Sequence, residues 1–177
     1  SKSGAIFDRE KLNWMNQQYL QKLPEEAYFR MIDHVIQKGD YHDQDSGKIR
    51  QAAEILKTRL VTLSDLNQKL GLFFEENPEI KDLQAIEVLK EENSKTVLKE
   101  FLQQAENLDQ LTSENLGQLV KSVQKATGIK GRGLWMPLRC AITREVSGPE
   151  LPAMLDFFGG EKCLHLIRQA LENPSLN

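Results

Sequence analysis

"KGRGLWMPLRCAITREVSGPELPAMLDFFGGEKCL" (residues 130–164) decides the fold class. Glycine and proline cut it into short apolar pieces. "GIKGRG" reads as a turn or short extended piece, and Pro137 opens a short helix, "PLRCAITR". "VSGP" is a turn, with Pro149 at the next helix start, and "GG" separates that helix from "EKCLHLIRQAL". Leu151, Met154, Leu155 and Phe158 recur at three- and four-residue spacing, the period of a helix with one buried face.

Working outward, the same period continues toward the N-terminus, and alternating β-branched runs are scarce. "FDREKLNWMNQQYLQKL" puts Leu12, Met15, Tyr19 and Leu20 near one face. Pro24 opens "PEEAYFRMIDHVIQKG", which Gly39 ends. "KIRQAAEILKTRL" stripes Ile49, Ala52, Ala53 and Leu56, and Thr62 or Ser64 caps "TLSDLNQKLGLFF". A long helix is expected from about Leu83 to Ala105. After a break near Asn107, Thr112 caps "SENLGQLVKSVQKATG", closed by Gly128. The expected fold is all-α, a helical bundle in two subdomains, residues 1–108 and 109–177.

The composition, 40% hydrophobic and 28% charged, suits a globular domain, and no apolar run is long enough for a bilayer. The chain starts on Ser without a leader-like apolar stretch, and is expected to be a cut piece of a longer, cytoplasmic protein. Cys140 and Cys163 lack CxxC spacing and read as two small buried residues. Net charge is −3, yet Gly117–Arg144 holds Lys121, Lys125, Lys130, Arg132, Arg139 and Arg144 with no Asp or Glu. Such a basic patch on an acidic body fits a phosphate-binding face, and equally a solvated face with no partner.

Catalytic chemistry is not visible. "GRGLWM" lacks the third glycine and preceding strand of a dinucleotide loop, and His34, His42 and His165 are scattered. Asp43, Asp45 and Glu54 stand at positions 1, 3 and 12 of a would-be calcium loop, but Gly47 and Lys48 occupy its fifth and sixth positions. "HDQDSG" therefore reads as a helix-capping loop. No catalytic residue and no metal ligand is assigned.

Two segments carry a family resemblance. "FDREKLNWMNQQYL", with "SKS" before it, resembles the segment after the catalytic domain of bacterial glutamyl-tRNA synthetases. "KG-x-x-L-x-x-PLR-x-A-x-T", followed by "GPEL" and a glycine break, resembles their C-terminal anticodon-binding subdomain. The likeness is strong at both ends and loose in the middle. It implies a two-subdomain helical cage without the Rossmann catalytic domain, since the HIGH-type and KMSKS-type motifs are absent as working motifs. "SKS" resembles only the tail of the second.

The resemblance further implies a partner, the anticodon loop of the tRNA for glutamate, met by a monomer with no membrane role. Cofactors are expected to be none in this fragment, with ATP and magnesium used by the parent ligase. Arg139, in "PLR", corresponds to a family arginine at the anticodon, and Arg59, in "EILKTRL", to a second from the first bundle. Arginine suits the task because its planar fork both pairs with base edges and stacks. Of Trp135 and Met136, one is expected to pack and the other to border the bound loop. Gly148, Pro149 and Leu151 are expected to hold a splayed base with backbone N–H groups and apolar surface. Arg50, Lys130 and Arg132 are expected at phosphates. The alternative is a helical protein-interaction domain with no RNA role, its basic stretch incidental.

Overall fold

The computed structural model describes residues 8–176, so the "SKS" at residues 1–3 and Phe7 of the opening motif lie outside the described residues. Those described are helical throughout, with no strand among them. They divide into two compact units between Phe74 and Glu75.

The first unit holds α1 (Arg9–Lys22), α2 (Glu25–Ile36), α3 (Ser46–Leu56), a 3-10 turn (Lys57–Arg59) and α4 (Asp65–Phe74). Asp8 caps α1 by accepting from the Lys11 N–H at 3.0 Å. Asp45 caps α3 by accepting from the Lys48 N–H at 2.8 Å. "HDQDSG" is thus the capping loop its sequence suggests. Ile49, Ala52, Ala53 and Leu56 form the buried stripe of α3. Tyr28 is sealed in beside them, its hydroxyl donating to the Ala53 carbonyl at 2.7 Å. That bond satisfies the one polar atom the ring carries inward. The expected apolar face of α1 is a correction: only Leu20 is buried, while Leu12, Met15 and Tyr19 are exposed.

The second unit holds α5 (Leu83–Lys90), α6 (Glu92–Ala105), α7 (Leu116–Thr127), α8 (Arg132–Thr143), α9 (Leu151–Phe158) and α10 (Gly160–Glu172). α6 packs on α7, α8 and α10, and α5 on α8. Phe101, Leu138, Ile142, Met154 and Leu166 fill the space between them. The compact units thus divide at 74/75, whereas the sequence reading divides the chain between residues 108 and 109. The break after α6 is a tight turn, with the Asn107 and Leu108 N–H groups donating to the Gln104 and Ala105 carbonyls, and it joins packed neighbours.

Two further boundaries differ. The long helix expected from Leu83 to Ala105 breaks at Glu91, whose ψ of 137° is extended. No glycine or proline marks that break, so the apolar period runs straight across it. And α8 begins at Arg132, leaving Pro137 inside the helix. Its missing N–H deprives only the Gly133 carbonyl, one turn back near the helix start, of a partner.

Candidate nucleic-acid interface

The polar features of the second unit converge on the turn after α8. Thr143 Oγ1 donates back to the Arg139 carbonyl, 2.9 Å away, and lies 3.0 Å from the Glu145 carbonyl. Arg144 closes the helix in the left-handed region, φ 65°, unusual for a residue with a Cβ. The Val146 N–H donates to Asp82 Oδ2 at 2.9 Å, while Asp82 Oδ1 caps α5 through the Gln84 N–H. Gly148 follows, buried so tightly that a Cβ there would stand 2.0 Å from Thr143 Oγ1.

This turn orients Arg139. Its Nη1 donates to the Gly148 carbonyl at 2.9 Å and its Nη2 to Glu150 Oε2 at 2.9 Å. The Arg139 side chain is 23% exposed, and that of Glu150 65%. A guanidinium held at two corners is already ordered, so a planar partner meets it at reduced entropic cost.

Trp135 is 42% exposed and Met136 half-buried on the same helix, so one ring faces water and its neighbour packs. Lys130 and Arg132 are exposed at the α8 N-terminus. Gly131 occupies the cap position with φ 58° and no side-chain cap bond. The first N–H groups of α8 and two cations thus share one end, an arrangement that favours anions. Lys121 and Lys125, four apart on α7, are also exposed.

Two expectations meet a different placement in the structure. Leu151 is 3% exposed, and Gly148 and Pro149 are buried, because the turn folds inward onto Thr143. They shape the turn and offer no apolar surface. Arg144, counted in the basic run, is 5% exposed. Its Nη1 donates to the Ala141 and Leu166 carbonyls and its Nη2 to Gln169 Oε1, while Nε has no partner. Burial lowers its pKa to about 10.

In the first unit, Arg59 is half-buried at the end of the 3-10 turn. The preceding Thr58 carbonyl accepts from the side-chain amides of Gln17 and Gln21 on α1, at 2.8 and 3.3 Å. Arg50 is exposed on α3, pairs with Asp33 at 3.4 Å and lies 5.1 Å over the Phe29 ring. The sequence reading missed Glu150, Gln17, Gln21 and Asp82. Only Glu150 carries a local signal, an acidic residue directly after the "GP" turn.

An all-helical domain with an ordered arginine, an exposed indole and a basic helix start is a binding module of the nucleic-acid kind. The chain belongs to the anticodon binding domain family, which matches residues 15–171. It is 34% identical over 177 residues to the glutamate–tRNA ligase of Geobacillus stearothermophilus, covering 97% of this chain and 36% of that protein. With the Latilactobacillus sakei ligase, identity is 36% over 176 residues, covering 97% and 35%. The crystal structure of a glutamate tRNA ligase from Elizabethkingia meningosepticum superposes with a TM-score of 0.67 at 26% identity, covering 97% of this chain and 34% of that one. The chain spans about a third of the length of the curated relatives it matches, corresponding to their C-terminal third.

Proposed function

We propose that this chain reads the anticodon loop of the tRNA for glutamate within a glutamate–tRNA ligase, and contributes discrimination rather than bond making. The observation that carries the reading is Arg139, ordered by Gly148 and Glu150 beside the exposed Trp135. Unstacked loop bases are recognised by stacking and by paired hydrogen bonds to their edges. Arg139 takes the base edge. Trp135 offers the stacking plane, and the neighbouring Met136 is half-buried. Arg59 serves a second base from the first unit. Gly148, Pro149 and Leu151 position the turn that holds Arg139. Lys130, Arg132 and Arg50 attract phosphates without regard to sequence.

In the parent ligase, ATP and magnesium serve the activation of glutamate and its transfer to the tRNA 3′ end. Those steps fall to the part of the ligase beyond this chain, because the ATP-handling motifs of the family are not among these residues. No helix among the described residues is long and apolar enough to cross a membrane.

The test is binding of this chain to the tRNA carrying a glutamate anticodon, against the same tRNA with its middle anticodon base changed. A preference for the first supports the reading. Equal or absent binding by the folded chain at moderate salt overturns it in favour of a protein-interaction domain.

A further inference from the structure

Among the described residues, Arg144 is the one with a Cβ and a positive φ, 65°. It is also the one buried charged residue among them, 5% exposed. Glycine takes the left-handed conformation freely and is the usual residue just past a helix end, as Gly128 is after α7. Ending α8 therefore does not call for an arginine, and burying a guanidinium is costly unless its donors are met. Backbone strain of this kind persists where the surrounding structure over-determines a functional geometry.

The Arg144 donors span two helices. Nη1 donates to the Ala141 carbonyl at 2.8 Å, within α8, and to the Leu166 carbonyl at 3.2 Å on α10. Nη2 donates to Gln169 Oε1 at 2.9 Å, one turn further along α10. The Gln169 amide donates in turn to Asn77 Oδ1. Further along the stretch that begins at Asn77, Asp82 accepts the Val146 N–H. Every second residue of the turn is thereby anchored: Arg144 to α10 and Asn77, Val146 to Asp82, and Gly148 to Arg139. We propose that Arg144 is a positioning residue for base recognition, which with Gln169 and Asn77 sets where the Gly148 carbonyl stands and so where the Arg139 fork points. This rests on the reading of Arg139 as the group that meets a base edge. Arg144 itself lies too deep to touch RNA. A fork that must match a base edge tolerates little displacement, because hydrogen bonds weaken steeply with angle. Attraction of phosphates to Lys130 and Arg132 falls off more gently with distance. Loss of Arg144 therefore costs discrimination more than overall affinity.

The test is Arg144→Gly, which leaves the left-handed backbone unstrained and removes only the side chain. One readout needs no RNA. The NMR order parameter of the Arg139 Nε–H is expected to fall below about 0.6, the flexible range, while the Phe101 and Ile167 amides keep their exchange protection. The other is binding of the two tRNAs that differ in the middle anticodon base. Their affinity ratio is expected to shrink by about fivefold, part of what a bidentate contact discriminates, with the salt slope unchanged. Gln169→Leu and Asn77→Ala cut the same relay further from Arg139, and each is expected to move both readouts in the same direction by less. A folded Arg144→Gly chain whose Arg139 is as ordered as in the native chain overturns the proposal. So does an unchanged ratio beside a native chain that discriminates. Should Arg144→Gly not fold, an unmoved Arg139 in both relay variants overturns it instead. A native chain with no base preference fails the anticodon reading, and the order of Arg139 alone then decides the positioning role.

Discussion

Arg139 and Glu150 stand 2.9 Å apart, the arginine Nη2 donating to a carboxylate oxygen presented from the cap position of α9. The pair lies at the rim, where its own contribution to stability is small. Its consequence is orientation. If Arg139 meets a base edge, Arg139→Ala lowers affinity for the cognate tRNA by about 1–3 kcal/mol and blunts the preference over the middle-base variant. Glu150→Gln acts in the opposite sense on affinity. It removes a negative charge from the path of the phosphates, so both tRNAs bind more tightly, while the looser fork narrows the preference. Titrations of both tRNAs at one fixed salt concentration check both outcomes.

Gly148 makes Arg139's position possible. A methyl group added there would lie 2.4 Å from the Thr143 Cβ as well as against its hydroxyl, and Thr143 is buried and branched, with nowhere to swing. Gly148→Ala is expected to cost about 1–3 kcal/mol through overpacking, read from the midpoint of urea unfolding. A Gly148→Ala protein as stable as the parent contradicts the close packing of this turn.

Lys130 and Arg132 are assigned to phosphate, which makes a different forecast. Replacing both by Ala weakens binding of the two tRNAs equally. It also reduces the slope of log K against log salt by about 1.4, at about 0.7 per contact with single-stranded RNA. Base preference stays as it was. A change in preference, or an unchanged slope, moves these two residues out of that role.

The helices were legible because Leu, Ile, Val and Phe recur at helical spacing wherever a face is buried, as in Leu116, Leu119, Val120 and Val123 of α7. The boundary at Glu91 was not, since an extended ψ at a charged residue leaves no mark in composition. Pro137 misled in the other direction: a proline so near a helix start need not be its first residue. The unit boundary was hidden because compactness depends on which helices pack, and the pairing of α6 with α8 and α10 is a long-range fact. Within the candidate site, Arg139 and Trp135 stand out in the sequence motif, while the partners that hold Arg139 and its turn do not. Asp82 reaches the turn from 64 residues away. Arg144 looked like part of a basic face, but its left-handed backbone turns the side chain inward to cap Ala141.

The two cysteines give a pH signature with a definite sign. Cys140 and Cys163 are buried free thiols, and burial pushes both from an ordinary 9.0 up to about 12, with Asp82 adding to the rise at Cys140. In the unfolded chain both ionise as pH passes 9, whereas the folded chain keeps both protons until about 12. The folded state therefore binds more protons through that window. Their contribution to stability is complete below pH 9 and is lost as pH rises toward 12, by up to about 1.4 kcal/mol per pH unit for each thiol. Unfolding of the native chain and of the Cys140→Ala, Cys163→Ala variant, followed from pH 8 to pH 11, isolates this term. The variant starts less stable because it leaves small cavities, but its decline above pH 9 is shallower. At pH 8 a disulfide-forming thiol reagent is expected to label neither cysteine until denaturant is added. Prompt labelling of the folded chain, or parallel declines of the two proteins above pH 9, contradicts the sealed placement of these thiols.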